Sequence, residues 1–302
     1  MISFATGNYP IFARELIFLF FEISMITIKL RGGLGNQMFQ YAAGRALAQK
    51  KSALLILDLE WYKQKFGPGS TARSYELNCF QLHRFIRNVK SKLASRATSF
   101  LAKDYEEPHF HYDPGFLHLP RHAVLTGYFQ SEKYFKGIRD ILLREFMWKK
   151  EPQGKNLSLL KEIQQTPGSI SLHIRRSDYI TNEKVAKVHG ITEMSYYEAG
   201  IKKMAQNINN PKFYIFSDEP EWCRQNLKLN HPTEYISNHG HGSEDMRLMK
   251  ECRHHIIANS SFSWWGAWLN ENPDKLVIAP KKWFSCEEKN TKDLIPDSWH
   301  KL

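Results

Sequence analysis

The chain lacks the patterns that mark the commonest metal and cofactor sites. Its four cysteines, Cys79, Cys223, Cys252 and Cys286, form no C-x-x-C pair, and none stands beside a histidine run with metal-ligand spacing. Four thiols in a reducing compartment are the simple reading. No D-x-D motif occurs anywhere. No Gly-Lys-Ser/Thr completes a P-loop, and Gly33, Gly35 and Met38 fail to complete G-x-G-x-x-G. Long apolar runs are missing too: Leu16 to Phe21 is bracketed by Glu15 and Glu22, far short of the ~20 residues that cross a bilayer. No small-residue cleavage site follows it, so it does not read as a signal peptide. Low-complexity tracts and repeats are absent, which excludes disordered and solenoid classes.

What is present is globular. The 302 residues suffice for two domains, and 42% hydrophobic with 13% aromatic residues can fill a sizeable core. The formal charge of +11 suits an anionic partner. Nucleic acid, an anionic membrane surface and phosphate-bearing substrates all fit that balance, and because lysine and arginine are spread along the chain without a dense block, nucleic acid fits it least. Met25 opens directly into Ile-Thr-Ile-Lys-Leu, so residues 1–24 are expected to be an extension outside the fold. An amphipathic segment touching a membrane is the rival reading.

Strand-like and helix-like segments alternate. Residues 26–30 read as a strand, 37–50 as a helix and 53–58 as a second strand, giving a β-α-β unit. Residues 67–70 form a turn, 80–103 a basic helix, 123–128 a strand and 131–146 a helix. A polar stretch at 150–157 is the expected linker. Beyond it come strands at 170–174, 212–217, 255–258 and 276–279, with helices at 195–207, 219–227, 244–252 and 263–269. Such alternation predicts an α/β protein with two Rossmann-like domains, 25–150 and 151–302, facing a central cleft. Ligands of these sheets bind beyond the carboxyl ends of the strands.

Four segments put chemistry at that edge. Arg31-Gly-Gly-Leu-Gly-Asn-Gln joins a strand to a helix; its glycines allow close backbone approach, and the helix start favours negative charge. A plain tight turn is the alternative. In Ser171-Leu-His173-Ile-Arg175-Arg176-Ser-Asp178, Ile170, Leu172 and Ile174 alternate with polar residues, so the strand hands His173, Arg175 and Asp178 to the ligand end. Arginine grips phosphate bidentately and stays charged. In Asn259-Ser260-Ser261-Phe262-Ser263-Trp264-Trp265, serine hydroxyls and the amides of a helix start suit phosphate, while the tryptophans read as core. Ser217-Asp218-Glu219 ends a strand; an N-cap aspartate with a first-turn glutamate explains it more simply than a metal.

Taken together and in order, LRGGLGNQMFQYAAGRALA (30–48), HIRRSDY (173–179), FYIFSDE (213–219) and EDMRLMKECRHHIIANSSFSWWGAWLN (244–270) resemble the bacterial α-1,2-fucosyltransferase family, with kinship to α-1,6- and protein O-fucosyltransferases. The resemblance implies a GT-B architecture, inversion at the sugar, and transfer of L-fucose from GDP-β-L-fucose to the 2-hydroxyl of a terminal galactose, with no cofactor and no metal; a fucosyltransferase of another linkage and a non-catalytic nucleotide- or glycan-binding protein are the alternatives. It implies donor contacts from Gly33, Gly35, Asn36, Gln37, His173, Arg175, Arg176, Ser217, Asp218, Ser260, Ser261 and Phe262. Asp245 would read the guanine N–H groups. Arg175 and Asn36 would serve catalysis, with Asp178 as the base or as a partner of the arginines. The acceptor would be an oligosaccharide, such as a lipid-linked surface glycan, met by a cytoplasmic protein with at most peripheral contact to the inner membrane.

Overall fold

The computed structural model describes residues 24–64, 73–83, 87–89, 102–176, 190, 192–237, 242–285 and 289–302. The expected extension at 1–24 lies outside them except for Ser24, as do the turn at 67–70 and Asp178.

Two all-parallel sheets organise the chain. The first holds β1 (Met25–Lys29), β2 (Leu54–Asp58), β3 (Arg87–Val89), β4 (Lys103–Glu106) and β5 (His122–Thr126), in the order β3-β2-β1-β5-β4. The second holds β6 (Ser169–Ile174), β7 (Lys212–Ser217), β8 (Thr233–Ile236), β9 (His254–Ile256), β10 (Val277–Ala279) and β11 (His300–Lys301), in the order β11-β10-β9-β6-β7-β8. Parallel strands are covered on both faces, so their sequences run apolar rather than alternating; all six residues of β6 are buried. In the first sheet the chain steps outward from β1 to β3, crosses to the far edge at β4 and returns to β5; in the second it steps outward from β6 to β8 and then outward on the other side from β9 to β11. The order therefore reverses between β1 and β5 and between β6 and β9, and ligands of such sheets bind at the carboxyl ends of the strands that flank a reversal.

The helices among the described residues are α1 (Leu34–Lys51), α2 (Arg139–Glu145), α3 (Gly154–Gln165), α4 (Met194–Asn207), α5 (Pro220–Asn226), α6 (Gly242–Glu251) and α7 (Ser261–Leu269). The largest core joins both halves of the chain. Helix α7 follows β9 of the second sheet, yet its Trp264 and Trp265 lie 4.5 Å and 5.1 Å from Phe39 of α1, and Trp265 stacks on Phe135 at 5.3 Å. The tryptophans are core, as expected, and they tie the two ligand edges together.

Several expected elements differ. The described part of 80–103 is not helical: Phe80 bridges Trp148 and packs on Phe146, while Arg87–Val89 hydrogen-bonds to β2. Pairing with a sheet edge overrides the helical pattern there. The expected linker runs into α3, whose Leu159 and Ile163 are buried against Tyr214 and Phe216. Residues 131–146 form two 3-10 turns before α2. Strands β4, β8 and β11 carried no readable alternation.

Candidate active site

The second sheet supplies the charged half of the site. Register pairs Ile174 of β6 with Ser217 of β7, so the residues that follow each strand meet. Arg175 Nη1 lies 2.9 Å from Asp218 Oδ2, and the Arg176 amide donates to Asp218 Oδ1 at 3.1 Å. Arg176 Nε reaches Glu219 Oε2 at 3.1 Å, and its guanidinium lies 3.4 Å over the Trp222 ring. Ser217 Oγ accepts from the Glu219 amide. Asp218 is therefore the arginines' partner and not the N-cap of α5; that position falls to Glu219, whose side chain makes no cap bond. Two arginines are thus fixed at the reversal point of the sheet by acids from the neighbouring strand.

His173, next on β6, is 6% exposed, and its Nδ1 has no hydrogen-bond partner. Burial, with help from Arg175, holds its pKa down to about 4 against the pull of Asp218. Near neutrality it is an uncharged imidazole 5.8 Å from the Phe262 ring, with a polar atom to offer a ligand.

Across the reversal point, β9 leads into α7. Ser260 is its N-cap, accepting from the Phe262 amide at 3.3 Å. Asn259 anchors the turn by donating to the Trp283 and Gly190 carbonyls and accepting from Thr192. At the other end of α7, Arg139 donates to the carbonyls of Trp268 and Asn270, and Lys275 to those of Ala267 and Asn270. Cations on the last carbonyls complement the helix dipole whose positive end faces the site. Arg139 was not legible as a cap in the sequence, because it lies 129 residues from Trp268 along the chain. Asp245 lies in the first turn of α6 beside Glu244, and a Cβ on Gly242 at the head of that helix would lie 3.7 Å from Phe262 Cε2.

The first sheet supplies the opposing wall. Gly32 has φ +81°, and Gly33 caps α1. A Cβ on Gly35 would fall 2.6 Å from the Ser261 carbonyl carbon and 2.7 Å from the Phe262 nitrogen. This glycine therefore lets the start of α1 sit directly against the start of α7, a close approach of helix to helix where approach to a ligand was expected. Asn36 Oδ1 accepts from Gln130 Nε2 at 2.7 Å. Gln37 is fully buried: its amide donates to the Gly32 and Ser74 carbonyls and accepts from the Glu76 N–H. It braces the loop from inside instead of reaching across the cleft. Glu76 Oε2 accepts from the Leu34 amide, and Tyr62 donates to the Gly32 carbonyl. So the structure brings Arg175, Arg176, Ser217 and Asp218 together past the ends of β6 and β7, sets His173 beside Phe262, and seats Gly35 against Ser261 and Phe262, with Asn36 held by Gln130 and Gly33 and Gln37 in the loop's scaffold. Among the described residues no group of three or more His, Cys, Asp or Glu side chains could hold a metal. No helix among them is long and apolar enough to cross a membrane.

The model of glycosyl transferase family 11 matches residues 11–302. The chain belongs to that family. It is 33% identical over 298 residues to an Escherichia coli alpha-1,2-colitosyltransferase, covering 93% of this chain and 99% of that one. It is 36% identical over 304 residues to the Escherichia coli O-antigen biosynthesis glycosyltransferase WbnK, covering 90% and 99%. The solved structure of NodZ alpha-1,6-fucosyltransferase co-crystallized with GDP aligns with a TM-score of 0.51 at 14% identity, over 82% of this chain and 92% of that one. That last likeness carries the fold alone. The two sheets of this family 11 glycosyltransferase form a GT-B architecture, and the junction of α1 and α7 lies where their ligand edges meet.

Proposed function

We propose that this enzyme transfers L-fucose from GDP-β-L-fucose to the 2-hydroxyl of a terminal galactose in a bacterial surface glycan, with inversion and without a metal. The observation that carries the reading is the convergence of Arg175, neutral His173 and the start of α7 at one reversal point. Breaking the sugar–phosphate bond leaves negative charge on the β-phosphate of GDP. A fixed guanidinium and the first-turn amides of α7 stabilise that charge as it grows. His173 Nδ1 serves as a hydrogen-bond partner for the donor without adding charge. Asp245 accepts two guanine N–H groups, which selects guanine over adenine. Asn36, held by Gln130, faces the sugar from the other wall. Asp218 and Glu219 orient the arginines and leave the ligand contacts to them. The acceptor is a lipid-linked oligosaccharide reached from the cytoplasm, with at most peripheral contact to the inner membrane.

A second donor is favoured by one observation, the 33% identity to an alpha-1,2-colitosyltransferase. Colitose is L-fucose without its 3-hydroxyl, so the same phosphate chemistry serves both. The deciding assay measures GDP release from GDP-fucose and from GDP-colitose, with and without a β-galactoside, in EDTA, followed by NMR of the product linkage. Acceptor-dependent release in EDTA from GDP-fucose with an α-1,2 product is the expected result. Release from GDP-colitose alone would replace the donor. Release only after a divalent ion is added back would overturn the metal-free mechanism.

A further inference from the structure

The carboxyl edge of the first sheet carries an acid that the donor site does not use. Glu107 directly follows β4, on the same edge as the ends of β1 and β5, because the three strands run parallel. Its two carboxylate oxygens accept separate amides of the turn after β5, Oε2 from Tyr128 at 2.7 Å and Oε1 from Phe129 at 3.0 Å. The fit is close: a Cβ on Gly127 would lie 2.5 Å from Glu107 Cβ, and Phe129 holds φ +53°. The next residue of that turn, Gln130, donates to Asn36, which adjoins Gly35 at the junction with α7. A short hydrogen-bonded path thus links Glu107 to the place where the two ligand edges meet.

Among the described residues, four other carboxylates at these edges are committed elsewhere. Asp218 and Glu219 hold Arg175 and Arg176. Glu76 caps the Leu34 amide beneath the glycine loop, and Asp58 accepts from the Glu60 amide. The two amides on Glu107 occupy two of about four lone-pair positions, which leaves room for a substrate hydroxyl. Burial pushes its pKa up to about 7, against the pull of the two amides, Arg31 and His109. Arg31, at the end of β1, stacks on the Tyr128 ring at 4.3 Å. Tyr105 and Tyr134 also face Glu107 and remain neutral phenols over the working range, since burial raises both. A base that titrates near the operating pH combines availability with proton affinity.

We propose that Glu107 is the general base that takes the proton from the acceptor hydroxyl during glycosyl transfer. The O–H bond breaks towards the carboxylate as the hydroxyl oxygen's electron pair forms the bond to the anomeric carbon. The bond from that carbon to the diphosphate breaks with its electron pair going to GDP. The Glu107 proton then passes to water. The proposal rests on glycosyl transfer at this cleft and is indifferent to which GDP-linked deoxyhexose is moved.

The test is the pH dependence of kcat/KM, from about pH 5 to about pH 9, for the native enzyme, Glu107→Gln, Glu107→Asp and Asp178→Asn, with GDP affinity and acceptor-independent donor hydrolysis measured alongside. The native enzyme should lose activity about tenfold per pH unit below about pH 7, where a base with this folded pKa becomes protonated. Glu107→Gln should lose about 10²-fold or more in kcat, lose that acid limb, and keep GDP affinity and donor hydrolysis. Glu107→Asp should keep the limb at reduced kcat, which covers the case in which the glutamine variant fails to fold. A limb unchanged in Glu107→Gln, a parallel loss of GDP affinity and stability in both Glu107 variants, or a limb abolished in Asp178→Asn would overturn the proposal. If the native enzyme transfers neither fucose nor colitose, the failure lies with the proposed function and not with Glu107.

Discussion

Replacing Gly35 with alanine tests the junction that makes the site. The new Cβ would lie 2.6 Å from the Ser261 carbonyl carbon and 2.7 Å from both the Ser261 oxygen and the Phe262 nitrogen. Ordinary carbon contacts sit at about 3.5–4.0 Å, so the overlap is about 1 Å, and it is with backbone. Backbone cannot swing aside as a side-chain tip does, and α7 is anchored by Trp264, Trp265 and Trp268 in the shared core. Overpacking of this kind costs about 1–3 kcal/mol. Alanine returns up to about 1 kcal/mol of helix propensity at this position in α1. The net expectation is a loss of about 1–2 kcal/mol, read as a lower urea midpoint at unchanged slope. Displacing the α1 wall by about 1 Å should also lower kcat by about 10²-fold. One control calibrates the result: a Cβ on Gly137 meets nothing within 4 Å. If Gly35→Ala matched Gly137→Ala in midpoint and turnover, the close seating of α1 on α7 would be refuted.

Arg175→Ala should weaken GDP binding by about 10–100-fold in calorimetry, the loss of one charge-assisted hydrogen bond of about 1.5–3 kcal/mol. Arg175→Lys should recover little of it, because an ammonium cannot form the planar fork; unchanged affinity in either variant would remove Arg175 from the site. Acid should destabilise the fold through its buried imidazoles. The folded pKa of His173 is held down to about 4, so below the ordinary value of 6.5 the unfolded chain binds a proton that the folded chain refuses. Stability is lost as pH falls from about 6.5 towards about 4, by on the order of 3 kcal/mol from this residue. His255, depressed by burial at its place on β9, acts in the same direction. Urea midpoints of the native enzyme and His173→Asn across that window isolate the term, and parallel curves would contradict it.

The four chemistry-bearing segments were legible because each combines a local period with a local break. A buried strand such as Ser169–Ile174 is a run of apolar and small residues that ends at charge, and a helix start such as Ser260–Ser261 is written in its cap. Residues that act through partners distant in sequence left no such mark. Glu107 is one acid in a polar stretch until β5 brings Tyr128 and Phe129 over it. Arg139 becomes a cap of α7 only in the folded chain. Gln37 sits inside a motif that reads as ligand-binding, but burial turns its amide into a brace.

By itself the sequence determined the alternation that makes two parallel sheets and the arginines delivered to the end of one strand, because hydrophobic period and strand-end charge are encoded within a few residues. Only the tertiary structure decided that α7 belongs to the core of both halves, that Gly35 is spent on Ser261, and that Asp218 serves Arg175. Those pairings join residues far apart in the chain, and their energy comes from close packing and desolvated charge, which exist only after the chain has folded.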